Sequence, residues 1–217
     1  LSFAIDASLL IGGQWWSPEG TDVGGVGGDR VEPLDWSNPE LRALVKPLAP
    51  AILRIGGTEA DHIFYDLDDQ FDRAPEGYDY LLKNAQWEAL TRFSTELGFE
   101  LMFTLNFGPG PRNEEGQWLD DQARILMGDV NGGAVAIWEL GNELNGYPLF
   151  HRINPTEEQW QHDLRVARAV RDELVPTARL AGPACAYWPE VGELNPTSKR
   201  VVRAAGTLVP AALDIVT

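Results

Sequence analysis

Midway along the chain a carboxamide is followed directly by a carboxylic acid, in the run Trp138-Glu139-Leu140-Gly141-Asn142-Glu143. That pair suits cleavage of a glycosidic bond. The acid can protonate the departing oxygen. The amide can hold a sugar 2-hydroxyl through a hydrogen bond that strengthens as the ring becomes oxocarbenium-like. An Asn-Glu pair alone is as readily a polar loop cap. Position tips the balance: the pair follows the apolar run 134–140, which reads as a buried strand, and the C-terminal ends of such strands line the mouth of a parallel barrel. Glu139 does not serve as the second carboxylate. Four extended residues put it ~13 Å from Glu143, where a retaining pair needs ~5 Å. Arg54 closes another apolar run and carries two compatible readings. It keeps a neighbouring carboxylate ionised, or it pairs with Glu139, an awkward charge in a buried strand.

The remaining candidates are weaker. His62, His151 and His162 are scattered with no metal-ligand spacing, so zinc is not expected, and glycosidic cleavage by carboxyl groups needs no metal or organic cofactor. Trp15, Trp16, Tyr147 and Trp188 fall in long loops and read equally as loop packing or as platforms for stacking sugars. Glu114-Glu115 reads as a solvated loop tip. Gly24-Gly25-Val26-Gly27-Gly28 has no helix directly after it, which suggests flexibility, not a phosphate cradle. The 217 residues hold 33 acids against 17 bases, and the formal charge of −16 argues against nucleic acid. Residues 59–79 carry eight acids against Arg73 alone and read as a solvated acidic loop. A lone Cys185 makes no internal disulfide and leaves the compartment open, secreted or periplasmic placement included. No apolar run reaches the roughly 20 residues of a membrane span. Leu1, with no basic leader, and the apolar residues just before Thr217 suggest a processed, truncated or partly ordered chain.

The apolar pattern supplies a scaffold for these groups. Six short, nearly continuous apolar runs occur at 3–6, 51–55, 101–106, 134–140, 179–182 and 212–216, as strands buried on both faces should. Helical patterns lie between them. Ser37 to Glu40 reads as a capping box, followed by an apolar face of Leu41, Leu44, Val45 and Leu48. Asn84 can cap a helix carrying Trp87, Leu90, Phe93 and Leu97, with Gly98 as its left-handed end. A weaker helix is expected at 117–127. Thr156 to Gln159 is a second capping box, ahead of Trp160, Leu164, Ala167, Val170 and Leu174. A last helix spans about 198–208. Strict β-α alternation implies a parallel sheet with helical crossovers. Two architectures fit: a doubly wound open sheet, or a (β/α)8 TIM barrel of which this chain carries about the first six βα units. Long polar loops follow the strands and short turns precede them, which favours the barrel.

The run 138–143, together with Leu53-Arg54-Ile55-Gly56-Gly57-Thr58 and Ala4-Ile5-Asp6-Ala7, resembles glycoside hydrolase family 79, which holds heparanases and β-glucuronidases. The resemblance implies a (β/α)8 barrel beside a small β-sandwich, an acid/base Glu after strand four and a nucleophile Glu ending strand seven. By that match Glu143 is the acid/base and Asn142 holds the 2-hydroxyl. Asp6 binds a hydroxyl of the terminal sugar, and Gly57 and Thr58 line the pocket. Glycine lets backbone amides approach a sugar carboxylate, and a threonine hydroxyl both donates and accepts. Ser8 departs from the pattern, standing where animal heparanases carry a longer amide. Residues 1–217 are then the N-terminal part of a catalytic barrel. The nucleophile strand, the eighth strand and the sandwich come from a C-terminal segment or a partner chain. The implied activity is retaining hydrolysis of β-D-glucuronides in a saccharide, endo-acting on heparan-sulfate-like chains or exo-acting on terminal glucuronic acid. With 14 Arg and 3 Lys against 33 acids, charge favours the exo mode and short or uncharged aglycones. Two rivals stand beside this reading: a catalytically incomplete saccharide-binding protein of the same fold, and a nucleotide-binding doubly wound domain, whose strand order would be 3-2-1-4.

Overall fold

A computed structural model describes residues 1–16, 28–186 and 197–217. Six strands form one sheet: β1 (Ser2–Asp6), β2 (Ala51–Gly56), β3 (Phe99–Leu105), β4 (Val135–Leu140), β5 (Arg179–Gly182) and β6 (Ile215–Val216). They lie in chain order and every neighbouring pair is parallel. Sequential order is what a barrel wall requires, because each crossover steps one strand further round in the same direction. A doubly wound sheet would reverse direction at its first strand. The register sets Asp6 beside Gly56 and Leu105 beside Leu140. The C-terminal ends of the first four strands therefore share one rim.

Helices α1 (Pro39–Val45), α2 (Asn84–Leu97), α3 (Asp121–Gly128), α4 (Glu157–Leu174) and α5 (Thr197–Thr207) supply the crossovers. On α2 the apolar stripe buries Trp87, Leu90 and Phe93. Trp87 meets Phe103 of β3 edge-on at 5.3 Å between ring centroids and stacks beside Trp138 of β4 at 6.3 Å. Each such aromatic pair adds about 0.5–1.5 kcal/mol beyond the area it buries. Gly98 ends α2 at φ 80°, its amide reaching back to the Ser94 and Thr95 carbonyls. On α4 the expected reciprocal cap is present: Gln159 N–H donates to Thr156 Oγ1 at 3.3 Å, and Thr156 N–H donates to Gln159 Oε1 at 2.8 Å.

Several local expectations are corrected. Asn38, not Ser37, caps α1, accepting from the Glu40 and Leu41 amides, while the Ser37 hydroxyl donates to Asp35. Leu44 is 77% exposed, since the seven-residue α1 turns only its Leu41 and Val45 edge inward. Asn84 is the first residue of α2, not its cap, and the Lys83 amide donates to Gln86 Oε1 instead. α3 begins at Asp121 because Trp118 is engaged elsewhere, its amide on Asp163 and its indole on the Asn106 carbonyl. The loop 56–83 holds structure of its own: Ile63–Asp66 pairs in parallel with Tyr80–Lys83. Two of its acids, Asp61 and Asp66, are buried, so it is not a solvated acidic loop throughout. In the loop after β1, Gln14–Trp16 pairs antiparallel with Gly28–Arg30. The glycines at 24–27 and Trp188 lie outside the described residues, as do the side chains of Trp15 and Trp16. Among the described residues no helix is long and apolar enough to cross a membrane.

Candidate active site

Three strand ends converge on one amide. Gly57, just past β2, sits at φ 112°, and a methyl at its α-carbon would overlap the carboxylate of Asp6 at the end of β1. Its N–H donates to Asn142 Oδ1 at 3.2 Å, and Arg54 donates to that oxygen at 3.0 Å. Two donors on one atom fix which end of the carboxamide is oxygen. The Asn142 NH2 is thereby turned away, with no protein partner among the described residues. The Gly57 amide, expected to approach a sugar carboxylate, is engaged within the protein. Its part is to leave room for Asp6. Asp6 Oδ1 in turn accepts the Ser8 N–H at 2.9 Å. Thr58 is half-buried and opens the 3-10 segment Thr58–His62.

Of the two parts expected of Arg54, the pair with Glu139 is present. Its Nε lies 2.8 Å and its terminal nitrogen 2.7 Å from the buried Glu139 carboxylate, which also accepts the Thr104 hydroxyl. Gly56 makes this possible: a methyl there would lie 2.6 Å from both the guanidinium and Thr104 Oγ1. The same guanidinium is the charge that draws the Glu143 carboxyl downward, against burial, which raises it and prevails. Glu143 is half-buried, and its carboxyl has no hydrogen-bond partner among the described residues. Its backbone is left-handed, φ 50° and ψ 52°, a conformation costing a non-glycine residue about 1–3 kcal/mol. Fixed flanks sustain it: Asn142 is held as above, and Gly146 N–H donates to the Glu143 carbonyl at 2.7 Å.

Behind this layer are groups the sequence reading passed over. Asp61 is completely buried. It accepts the Phe107 N–H at 2.9 Å and the Asn142 N–H at 3.0 Å, yet burial still pushes its carboxyl up to about 7. The interrupted apolar run Ala60-Asp61-His62-Ile63-Phe64 was the available signal. Glu59, half-buried, is also pushed up to about 7, by burial first and then by the Asp6 and Asp79 charges. The histidines are less scattered than their spacing suggests. The His62 and His151 rings lie 4.8 Å apart, with His62 Nδ1 2.8 Å from Asp79. Burial and His62 depress His151 to about 4. No group of three metal-ligating side chains forms among the described residues. Tyr147 is fully buried and edge-on to His151 at 4.7 Å, so packing, not sugar stacking, is its place. Glu114 and Glu115 are exposed, as expected of a loop tip.

A sequential parallel sheet with helical crossovers defines a TIM-barrel protein, and the polar groups described above gather at its C-terminal rim. Two solved glycoside hydrolases share the fold. The monomeric beta-xylosidase from Caulobacter crescentus CB15 superposes on all of this chain and 40% of its own, with a TM-score of 0.54 and 14% identity. The GH39 enzyme from Xanthomonas axonopodis pv. citri does so over all of this chain and 39% of its own, with the same score and identity. The chain belongs to glycosyl hydrolase family 79, whose N-terminal domain matches residues 5–184. Heparanase-like protein 3 of Arabidopsis thaliana is 30% identical over 162 residues, 66% of this chain and 30% of the relative. Baicalin-beta-D-glucuronidase of Scutellaria baicalensis is 27% identical over 171 residues, 65% of this chain and 32% of the relative. The chain thus spans about a third of the length of the curated relatives it matches.

Proposed function

We propose that this chain is the acid/base-bearing part of a retaining hydrolase of β-D-glucuronides. The observation that carries the reading is the oriented carboxamide of Asn142. Its oxygen is held by Arg54 and Gly57, its NH2 has no hydrogen-bond partner among the described residues, and the half-buried Glu143 is the next residue. An NH2 donor suits a 2-hydroxyl oxygen that gains charge in the transition state. A carboxyl raised by burial suits an acid that must hold its proton near neutrality.

In the first step a carboxylate from the remainder of the barrel attacks the anomeric carbon. The C–O bond to the aglycone breaks, and Glu143 gives its proton to the leaving oxygen. In the second step Glu143 takes a proton from water, which attacks the same carbon and releases the carboxylate. Asp6 and Thr58 hold hydroxyls of the terminal sugar, and Gly57 keeps that wall thin. The glucuronide assignment leans on the likeness to the baicalin-beta-D-glucuronidase. Exo action on short or uncharged aglycones is favoured by the chain's net charge of −16 and by Glu59 beside Asp6.

The test uses the full-length protein and 4-nitrophenyl β-D-glucuronide. Wild type is expected to turn over with a β-configured first product, and Glu143→Gln to lose about 10²- to 10⁴-fold. Turnover unaffected by Glu143→Gln would remove the acid/base role. Saccharide binding with no turnover by either form would establish the binding-protein reading instead.

A further inference from the structure

We propose that Asp61 is a positioning residue for proton transfer, clamping the turn that carries Glu143. This rests on Glu143 being the acid/base group. The last ladder bond between β3 and β4 runs from Gly141 N–H to the Leu105 carbonyl, at 3.2 Å. Beyond it the strand partners run out, and the Phe107 and Asn142 amides need acceptors. Asp61, arriving from the loop after β2, takes one on each oxygen, Phe107 on Oδ1 at 2.9 Å and Asn142 on Oδ2 at 3.0 Å. One side chain thereby ties three successive strand ends together.

Glu143 is the next residue. Its left-handed backbone persists only while the flanking peptides cannot turn. Asn142 is gripped at its side chain by Arg54 and Gly57 and at its amide by Asp61. Gly141, at φ 72°, has no slack either, because a methyl there would overlap the Tyr147 hydroxyl. The surroundings of Asp61 match the role. His151 Nε2 stands 3.7 Å from Oδ2, and Tyr147 and Arg112 also lie near it. A carboxylate is needed because it accepts on both oxygens. An asparagine of the same shape has one acceptor, and its NH2 would oppose the second N–H.

The experiment compares kcat/KM of the full-length wild type, Asp61→Asn, Asp61→Ser and Glu143→Gln on two substrates. Phenyl β-D-glucuronide has a leaving group that needs protonation. 2,4-Dinitrophenyl β-D-glucuronide has one that leaves unaided. A misplaced acid harms only the first. Asp61→Asn is expected to lose about 10²-fold on the phenyl substrate and less than about threefold on the dinitrophenyl one. Asp61→Ser, smaller and still able to accept one N–H, should show the same selectivity. Equal losses on both substrates, no loss on either, or failure of both variants to fold by thermal melt would make Asp61 structural and overturn the assignment. Glu143→Gln separates the two levels. If it shows leaving-group selectivity and the Asp61 variants do not, only this inference fails. If it shows none, the acid/base reading itself is lost.

Discussion

Arg54→Met tests how the site is held together. Arg54 is the cation facing Glu139, whose side chain is 3% exposed, and it makes two contacts to that carboxylate at 2.7 and 2.8 Å. Removing one partner of such a buried pair costs about 3–5 kcal/mol, because the other charge stays in place without compensation. For a domain of this size, each kcal/mol moves the melting temperature by about 2–4 °C. Arg54→Met should therefore melt roughly 6–20 °C lower, less if the whole protein unfolds as one larger unit. Glu139→Gln alone leaves the guanidinium short of its anion, but Arg54 is 26% exposed and retains water, so the loss is smaller. Arg54→Met/Glu139→Gln carries no stranded charge and should recover about 2–3 kcal/mol relative to the sum of the singles. Thermal melts of the four full-length forms at one pH give the coupling. Additivity within about 0.5 kcal/mol would refute the reasoning, since it would mean Glu139 is not held by Arg54. The same variant has a second readout. Without the charge that draws Glu143 downward, the acid holds its proton further into alkali, so the alkaline limb of the kcat/KM profile moves to higher pH.

Gly57→Ala forces a β-carbon onto the Asp6 carboxylate at a backbone angle alanine rarely adopts. It should cost at least about 2 kcal/mol and raise KM for the glucuronide more than it lowers stability-corrected kcat, measured by steady-state kinetics and melting together. Glu59 is pushed from 4.5 up to about 7 in the folded protein. A raised folded value favours the proton-bound native state, so this contribution is complete below about pH 4.5 and lost as pH rises through about 7. Glu59→Gln should accordingly flatten the fall in melting temperature across that window, and an unchanged slope would show that Glu59 is not desolvated.

The six strands were legible because each is a short apolar run between turn residues, and burial on both faces leaves few other readings. Asn142 and Glu143 stood out because two complementary functional groups sit side by side at a strand end. The supporting layer did not, for a physical reason. Asp61 acts through backbone amides 46 and 81 residues away, and an amide leaves no trace in residue identity. The misplaced cap of α1 is different in kind. Ser37 and Asn38 are both good caps, but Pro39 belongs at the first helical position, which selects Asn38. The pairing of Ile63–Asp66 with Tyr80–Lys83 was hidden by the acids around it, since charge density was read as exposure.

Gly56 and Gly57 stand back to back between neighbouring walls, one admitting the Arg54 guanidinium and the other the Asp6 carboxylate. Not even a methyl group fits at either position without displacing a charged side chain. Drift by single substitutions is therefore closed along this seam, and change that keeps it intact is left to the outer loops.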